Sequence, residues 1–479
     1  MTQKSSSISL SQALLPVIIL VLLLAFNVFV FGDDALGGSN QFILLIGAAV
    51  AAIVGFRNKV SYDIMLEAIG SNLKSTTGAI LILLFVGALA GTWLLSGIIP
   101  AMIYYGLQIL HPSIFLPACI IICAIISLAT GSSWTTSATV GIALIGIGRA
   151  LEIPVGMVAG AVISGAYFGD KLSPLSDTTN LAPAMAGTDL FTHIRYMTYT
   201  TVPSIIITLM VFLFLGFFQE TNGQADTQVL LSSIDERFTI NLGLFIVPLI
   251  VIVMIVRKAP PLVALMTGTL LGALFALLYQ PHLVLETAGA MQLNITSAYR
   301  GIMNAITVDN AIITSNELLN DLFTSGGMQG MLGTIWLIIC AMVFGGVMDA
   351  IGGLQKLSSA LLEKAQSTFQ LFAGTAASCI TINLTASDQY LSIVLPGKMF
   401  DQAYRDRNLA PENLSRTLED SGTVTSVLIP WNTCGAYQSG VLGVGVGEYF
   451  AFAIFNWLSP IMTLIYAYFG FKIKTLVKN

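Results

Sequence analysis

The chain has 479 residues, of which 55% are hydrophobic and only 9% are charged, and its formal net charge is −5. A soluble domain carries about 25% charged residues, so this composition excludes an ordinary soluble protein. The mean hydropathy is +0.84, and several apolar runs are about 20 residues long, which is enough for one helix to cross a bilayer. The sequence therefore predicts an all-α polytopic membrane protein.

The first apolar run, residues 14–31, is predicted to be a spanning helix, because it is too long for the apolar part of a signal peptide. Further helices are predicted at about 41–56 and 77–97. Lys and Arg concentrate in cytoplasmic loops, and residues 98–112 contain neither. The basic residues of this region lie before the first helix and between the second and third: Lys4, Arg57, Lys59 and Lys74. The pattern predicts a cytoplasmic N-terminus, and we expect the C-terminus on the same side.

A polar linker, residues 219–238, is predicted to divide the chain into halves at 1–218 and 239–479. The second half repeats the order of elements of the first half, which is two helices, an amphipathic connector and a helix. The distribution of basic residues is the reverse of that in the first half. In the second half the basic residues Lys356 and Lys364 follow the last of these helices. This pattern predicts two inverted-topology repeats.

Each half contains two apolar segments that are interrupted by Gly, Pro or polar residues. The first half has them at 129–141 and 166–185, and the second half at 384–392 and 418–426. Non-helical backbone at membrane depth is tolerated only where protein or a water-filled cavity surrounds it. Interruptions at corresponding positions of two halves are typical of a transporter's binding site.

Three carboxylates, those of Asp170, Asp388 and Asp420, lie in or beside these interruptions, and an ionisable group within a membrane usually has a function. Oxygen ligands suit a small hard cation. The other candidate binding residues supply such oxygens: Ser132, Thr135, Ser173, Asp177, Asn180, Asn383, Thr423, Ser426, Asn432 and Thr433. Asp177 could instead cap a helix. Lys171 could balance charge, hold a substrate carboxylate or reach the membrane interface, and Glu419 is expected at that interface.

Three motifs together resemble the signatures of the NhaC-type sodium/proton antiporter family, within the broader ion-transporter superfamily. They are "GDKLSPLSDTTNLAP" at 169–183, "SDQYLSIVLPGKMF" at 387–400 and "LEDSGTVTSVLIPWNTCGAY" at 418–437. The resemblance extends from about residue 12 to residue 472.

This resemblance implies two inverted repeats, each with a re-entrant helical hairpin and a broken helix. It also implies a scaffold domain, a moving transport domain and a homodimer. By analogy, the elements at about 114–185 and 366–445 form the transport domain, and the flanking helices form the scaffold.

The function predicted from these observations is secondary active exchange of Na⁺ for H⁺ across a bacterial inner membrane. Asp388 and Asp420 are expected to bind Na⁺ when ionised and H⁺ when protonated, so that competition couples the two fluxes. Asp170 and Lys171 would balance charge. No cofactor is expected beyond Na⁺ itself as the transported ion, and neither a nucleic-acid partner nor an enzymatic activity is predicted, because no nucleotide-binding or nucleophile motif occurs.

An alternative keeps the same fold and changes the cargo. In it, the protein is a Na⁺-coupled carrier or exchanger of a small carboxylate, such as malate or lactate, or of an amino acid. A third hypothesis, a channel or a membrane scaffold, is disfavoured because the polar groups cluster in matched regions of the two halves.

Overall fold

The computed structural model describes residues 8–31, 37–109, 111–217, 224–257 and 259–476. These residues are mostly helical. A two-stranded antiparallel ribbon pairs β1 (Asn310–Ala311) with β2 (Thr324–Ser325). The helices up to residue 237 are α1 (Leu10–Phe31), α2 (Ser39–Arg57), α3 (Tyr62–Leu95), α4 (Ile98–Ile109), α5 (Pro112–Thr130), α6 (Ser133–Thr136), α7 (Ile142–Ala150), α8 (Val155–Leu172), α9 (Asp177–Ala186), α10 (Leu190–Phe217) and α11 (Gln224–Arg237).

The second half begins with a 3₁₀ turn, Leu242–Phe245. Its helices are α12 (Ile246–Val256), α13 (Pro261–Tyr279), α14 (Pro281–Ala288), α15 (Ile295–Thr307), α16 (Glu317–Leu322), α17 (Gly327–Gly330), α18 (Leu332–Ala350), α19 (Gly353–Glu363), α20 (Thr368–Thr385), α21 (Gln389–Asp406), α22 (Pro411–Leu418), α23 (Thr433–Leu442), α24 (Val446–Tyr449) and α25 (Ile454–Phe469).

Within the described part of the chain, seven helical stretches are long and apolar enough to cross a membrane. They are α1, α2, α3, α5, α10, α13 and the run Gly327–Ala350. An eighth span results if α11 and α12, which are bent by 84° at a short break, count as one. The prediction of a polytopic helical membrane protein is confirmed.

The predicted polar linker at 219–238 is largely helical where the structure describes it. Residues 219–223 lie outside the described residues, and α11 follows them. Leu230 and Ile234 of α11 are buried, and Asp235 accepts a hydrogen bond of 3.0 Å from the Tyr104 hydroxyl of α4. The division into two repeats at this linker stays a prediction.

Close helix packing holds the first interrupted region in place. Helices α5 and α8 meet through glycines of α8, since a Cβ added at Gly165 would lie 2.3 Å from the Ile120 carbonyl oxygen. At Gly169 it would lie 2.3 Å from the carbonyl oxygen of Ala124. Small residues at such contacts let helix backbones approach closely in a membrane protein. The packing fixes the end of α8, which carries Asp170 and Lys171.

Candidate functional site

Two hairpin tips of the same construction form one side of the site. At the first tip, α5 ends at Gly131 in the left-handed conformation (φ 70°), and Ser132 caps α6 by accepting a hydrogen bond from the Thr135 amide. At the second tip, Ser387 takes the left-handed conformation (φ 60°), and Asp388 caps α21. Gly131 has no room for a side chain, because a Cβ there would lie 2.6 Å from Leu175. Ser387 adopts a conformation that is costly for a residue with a side chain, and such strain is common at functional sites.

Both halves therefore contain a helical hairpin. The chain continues from α6 through a π-helical turn, Ser137–Gly141, into α7. Gly148 near the end of α7 packs against Phe115 at the start of α5, so the chain doubles back on itself.

Two broken helices form the other side of the site. Helix α8 ends at Leu172, and the chain restarts as α9 with Ser176 as its cap. In the second half, α22 continues into a π-helical segment, Glu419–Thr423, and the chain later restarts as α23 with Asn432 as its cap. π-helical turns inside helices are frequent at functional sites.

A cavity of about 590 Å³ lies between these elements and receives residues from both halves. Asp170 and Asp177 line it from the first half, and Asp388 lines it from the second. Six of the predicted binding residues meet there: Ser132, Thr135, Asp170, Asp177, Asp388 and Thr433. The structure therefore brings three carboxylates to one cavity together with hydroxyl groups.

The carboxylate of Asp170 is held by the first hairpin tip. Its Oδ2 accepts hydrogen bonds from the Ser133 amide (3.1 Å) and from the Ser133 hydroxyl (2.7 Å). Ser133 is not among the predicted site residues, although it lies in the Ser/Thr run of the first hairpin. Asp388 is 3% exposed, and its Oδ1 accepts a hydrogen bond of 2.9 Å from the Leu391 amide.

Asp420 lies apart from the cavity lining, in a buried ion pair with Lys171 of the opposite half. The two side chains are 0% and 1% exposed. The other carboxylate oxygen, Oδ2, accepts hydrogen bonds from Thr200 on α10 (2.9 Å) and from Thr463 on α25. Neither threonine is among the predicted residues, because a hydroxyl in an apolar helix is a weak signal. Lys171 therefore neutralises a carboxylate of the other half.

Glu419 is fully buried, at 0% exposure, so the expectation that it lies at the interface is wrong. The π-helical segment turns both of its acidic residues, Glu419 and Asp420, into the protein. Glu419 Oε1 accepts a hydrogen bond of 3.1 Å from the hydroxyl of Thr178, a residue that lines the cavity.

The predicted amide ligands bind protein instead of lining the cavity. Asn383 donates to the Gly422 carbonyl at 2.7 Å, and Asn432 donates to the Asn383 backbone carbonyl at 3.1 Å. The Asn432 side chain also caps α23 through the Cys434 amide, at 3.0 Å. These two residues connect the second hairpin to the second broken helix, and their roles as ion ligands stay predictions.

Four further predicted residues lie outside the cavity lining, namely Ser173, Asn180, Thr423 and Ser426. Ser173 donates to the Leu128 carbonyl at 2.8 Å, and Ser426 donates to the Thr423 carbonyl at 2.6 Å. Asn180 is exposed and donates to the Ser176 carbonyl at 2.7 Å. Their roles as ion ligands stay predictions.

Comparison with known proteins identifies the family. Residues 165–471, more than half of the chain, match the sequence profile described as the Na⁺/H⁺ antiporter family. The chain is 40% identical to the Na(+)/H(+) antiporter NhaC of Alkalihalophilus pseudofirmus over 427 residues, and this alignment covers 89% of each chain. It is 38% identical to the Malate-2H(+)/Na(+)-lactate antiporter of Bacillus subtilis, with 95% of this chain and 93% of the relative covered. It is 33% identical to the Arginine/ornithine antiporter ArcD of Halobacterium salinarum, with 97% and 93% covered.

The profile match contains the breaks of both broken helices and the whole second hairpin, which supply part of the cavity lining. The relatives cover the rest of the chain as well. The resemblance noted in the three motifs is therefore confirmed, and the chain belongs to the Na⁺/H⁺ antiporter family.

Proposed function

We propose that this protein exchanges Na⁺ for H⁺ by alternating access. The observation that carries the proposal is the meeting of Asp170 and Asp388, one from each half, at one cavity beside the buried Lys171–Asp420 pair. Carboxylates flanked by hydroxyl groups are suitable ligands for a small hard cation. A carboxylate at membrane depth is costly when it is ionised and alone, so each such group is expected to hold either a cation or a proton.

In this mechanism Na⁺ binds at Asp388 and Asp420 with hydroxyl groups of the hairpin tips completing its shell. Asp420 can reach a cation only when Lys171 releases it, because the pair and the two threonines occupy both of its oxygens. Lys171 therefore acts as an internal counter-ion that holds the charge of Asp420 while Na⁺ is absent. Asp170 balances charge from the first half.

A second candidate function is exchange of a small carboxylate or an amino acid together with Na⁺. The observation in its favour is the cavity volume of about 590 Å³, which falls within the roughly 300–1,000 Å³ of small-molecule sites. Two relatives are named as a malate/lactate antiporter and an arginine/ornithine antiporter. Against it, none of the described residues that line the cavity is Arg or Lys, and Arg is the usual partner of a bound carboxylate.

The proposal also covers the membrane location, the orientation and the oligomeric state of the protein. We place it in the bacterial inner membrane with both termini in the cytoplasm, on the distribution of Lys and Arg. We further propose a homodimer with a scaffold formed by the helices outside 114–185 and 366–445, on the family resemblance.

The proposal is tested in proteoliposomes that contain a pH-sensitive dye and receive an inward Na⁺ gradient. We expect the wild-type protein to acidify the outer medium and alkalinise the lumen as Na⁺ enters. Asp388→Asn and Asp420→Asn should abolish this pH change, whereas Asp63→Asn, the same change at an exposed residue of α3, should leave it intact. Unchanged exchange in both site variants would remove this mechanism.

Thermal unfolding of the purified protein distinguishes the two candidate functions. A ligand that binds only the folded state stabilises it by RT ln(1 + [L]/Kd). Na⁺ alone should stabilise an ion exchanger, with K⁺ as the control ion. Further stabilisation by malate, lactate or an amino acid that appears only with Na⁺ present would favour the solute carrier.

A further inference from the structure

A second cavity, of about 470 Å³, lies where the first turns of α10 meet the chain that follows α25. It shares no described lining residue with the cavity at Asp388. Among its described lining residues, Glu412 carries an acidic side chain and three residues carry basic ones, namely Arg195, Lys472 and Lys474. The whole chain has only 20 Lys and Arg residues, so three at one cavity are a local concentration of positive charge.

Hydrogen bonds hold the backbone of this cavity wall in place. The segment after α25 pairs with the chain before α22, where the Ala410 amide donates to the Lys474 carbonyl at 2.9 Å. On the other side, the Lys474 amide donates to the Tyr196 hydroxyl of α10 at 3.2 Å. The backbone that carries Lys472 and Lys474 is therefore positioned before any ligand binds, and such preorganisation lowers the cost of binding.

Two of the three basic side chains have no acidic partner. Lys474 forms an ion pair with Glu412. Arg195 and Lys472 form no ion pair with any described residue. Both are exposed, and the Lys472 ammonium lies 4.8 Å from the centre of the Tyr199 ring, which also lines the cavity. These two cations are free to contact a ligand.

A buried guanidinium adds a fourth positive charge beside the cavity. Arg416 is 0% exposed, and its guanidinium carbon lies 4.6 Å from the centre of the Tyr196 ring, which lines the cavity. Its Nε and Nη2 have no hydrogen-bond partner among the described residues, and Nη1 makes a long contact of 3.5 Å with the Lys472 carbonyl. Asp189, which accepts a hydrogen bond from the Thr192 amide, is a second acid nearby. Four bases and two acids give these described groups a net charge of +2, which suits an anion.

The surroundings of the cavity favour a lipid as the source of that anion. Helix α10 has 28 residues, more than the roughly 20 that cross a bilayer, so its first turns lie at the membrane boundary. From Tyr199, exposed apolar side chains continue along one face of α10 through Val202 and Ile206. Basic pockets between spanning helices bind anionic headgroups, and the apolar face can accommodate acyl chains. A free anion would make no use of that face.

We propose that this basic cavity binds the phosphate group of an anionic phospholipid. Arg195 and Lys472 contact the phosphate oxygens, and the charge of Arg416 adds to the attraction. The acyl chains lie along the exposed face of α10 that begins at Tyr199. The lipid thereby connects α10 with the segment after α25. The inference does not depend on which ion or solute the protein carries.

The test titrates the purified full-length protein with fluorescent phosphatidylglycerol in a non-ionic detergent and a K⁺ buffer without Na⁺. Arg195→Gln combined with Lys472→Gln should weaken the apparent affinity about thirtyfold, the loss expected for two basic groups near an anionic lipid. The matched control Arg57→Gln with Lys74→Gln removes the same charge at exposed residues of α2 and α3 and should bind as the wild type does. The charge-preserving pair Arg195→Lys with Lys472→Arg should keep most of the affinity.

Two further ligands test the headgroup and the source of the phosphate. Phosphatidylcholine with the same acyl chains should bind more weakly, because its headgroup has no net charge. Potassium phosphate, compared with potassium chloride at equal ionic strength, should not raise the thermal stability of the wild type. Wild-type affinity in the Gln pair, or equal binding of the two lipids, would overturn the proposal. Stabilisation by potassium phosphate equal to that by phosphatidylglycerol would assign the cavity to a free anion and overturn the lipid assignment.

Discussion

Replacing Lys171 by methionine tests the buried ion pair by stability. Methionine keeps the length of the side chain and suits a helix, but it leaves Asp420 without its counter-ion. Both partners are almost completely buried, at 1% and 0% exposure. Removing one partner of a buried pair typically costs about 3–5 kcal/mol, because the other charge stays buried and uncompensated.

The hydrogen bonds that Asp420 keeps in the variant determine how much of the free energy of unfolding is lost within that range. Thr200 and Thr463 continue to donate hydrogen bonds to Asp420 Oδ2 in the variant. Hydrogen bonds to a charged group contribute about 1.5–3 kcal/mol each, so part of the solvation of the carboxylate is retained. We therefore expect a loss of about 3 kcal/mol in the free energy of unfolding.

The assay is denaturant unfolding of the detergent-purified protein without Na⁺. The double variant Lys171→Met with Asp420→Asn is the control, because it removes both charges and should recover most of the loss. A single variant that loses less than about 1 kcal/mol would fit an exposed pair and not a buried one. A double variant no more stable than the single would show that lost packing, and not an uncompensated charge, causes the effect.

Two further predictions concern local structure. Asp388→Asn should lower the Na⁺ affinity with little change in thermal stability, because Asn caps a helix as well as Asp does. Asp388→Ala should also lose about 1 kcal/mol of stability, because it removes the cap. Equal stability of the two variants would contradict the capping role. Gly165→Ala should destabilise the protein by about 1–3 kcal/mol in a thermal-unfolding comparison, because the added Cβ would lie 2.3 Å from a carbonyl oxygen of α5. The control Gly333→Ala, where nothing lies within 4 Å of the added atom, should cost nothing, and an equal loss at both positions would refute the packing argument.

The sequence was informative about where the chain is interrupted. Polar residues within apolar runs are expensive in a membrane, so the clusters around Ser132 and Asp388 stand out without any structure. Both residues cap the helix that restarts after a left-handed residue. The capping preference of Ser and Asp makes that role readable from residue type.

The partners of these residues were less accessible to sequence reasoning. Lys171 and Asp420 are 249 positions apart, and residue types alone do not say which acid a buried lysine will meet. Thr200 and Thr463 resemble the many threonines that bond to their own helix backbone. Only the packing of α10 and α25 against the second broken helix brings their hydroxyls to Asp420.

Burial of a polar run was also hard to predict. Glu419 was expected at the membrane interface, yet it follows α22, which is buried along nearly its whole length. Asp177 and Asn180, from a run of the same character, are exposed. The difference arises from how many helices surround each segment, which local composition does not record.

The central claim is that Na⁺ and H⁺ exclude each other at one group of buried carboxylates. The most direct measurement is the number of protons released when Na⁺ is added to the purified protein in a weakly buffered solution. The mechanism predicts release of about one proton for each Na⁺ bound at this cluster, since one positive charge replaces another, and no release on addition of K⁺. Na⁺ binding without proton release, across the pH range in which the protein stays folded, would contradict the exchange mechanism.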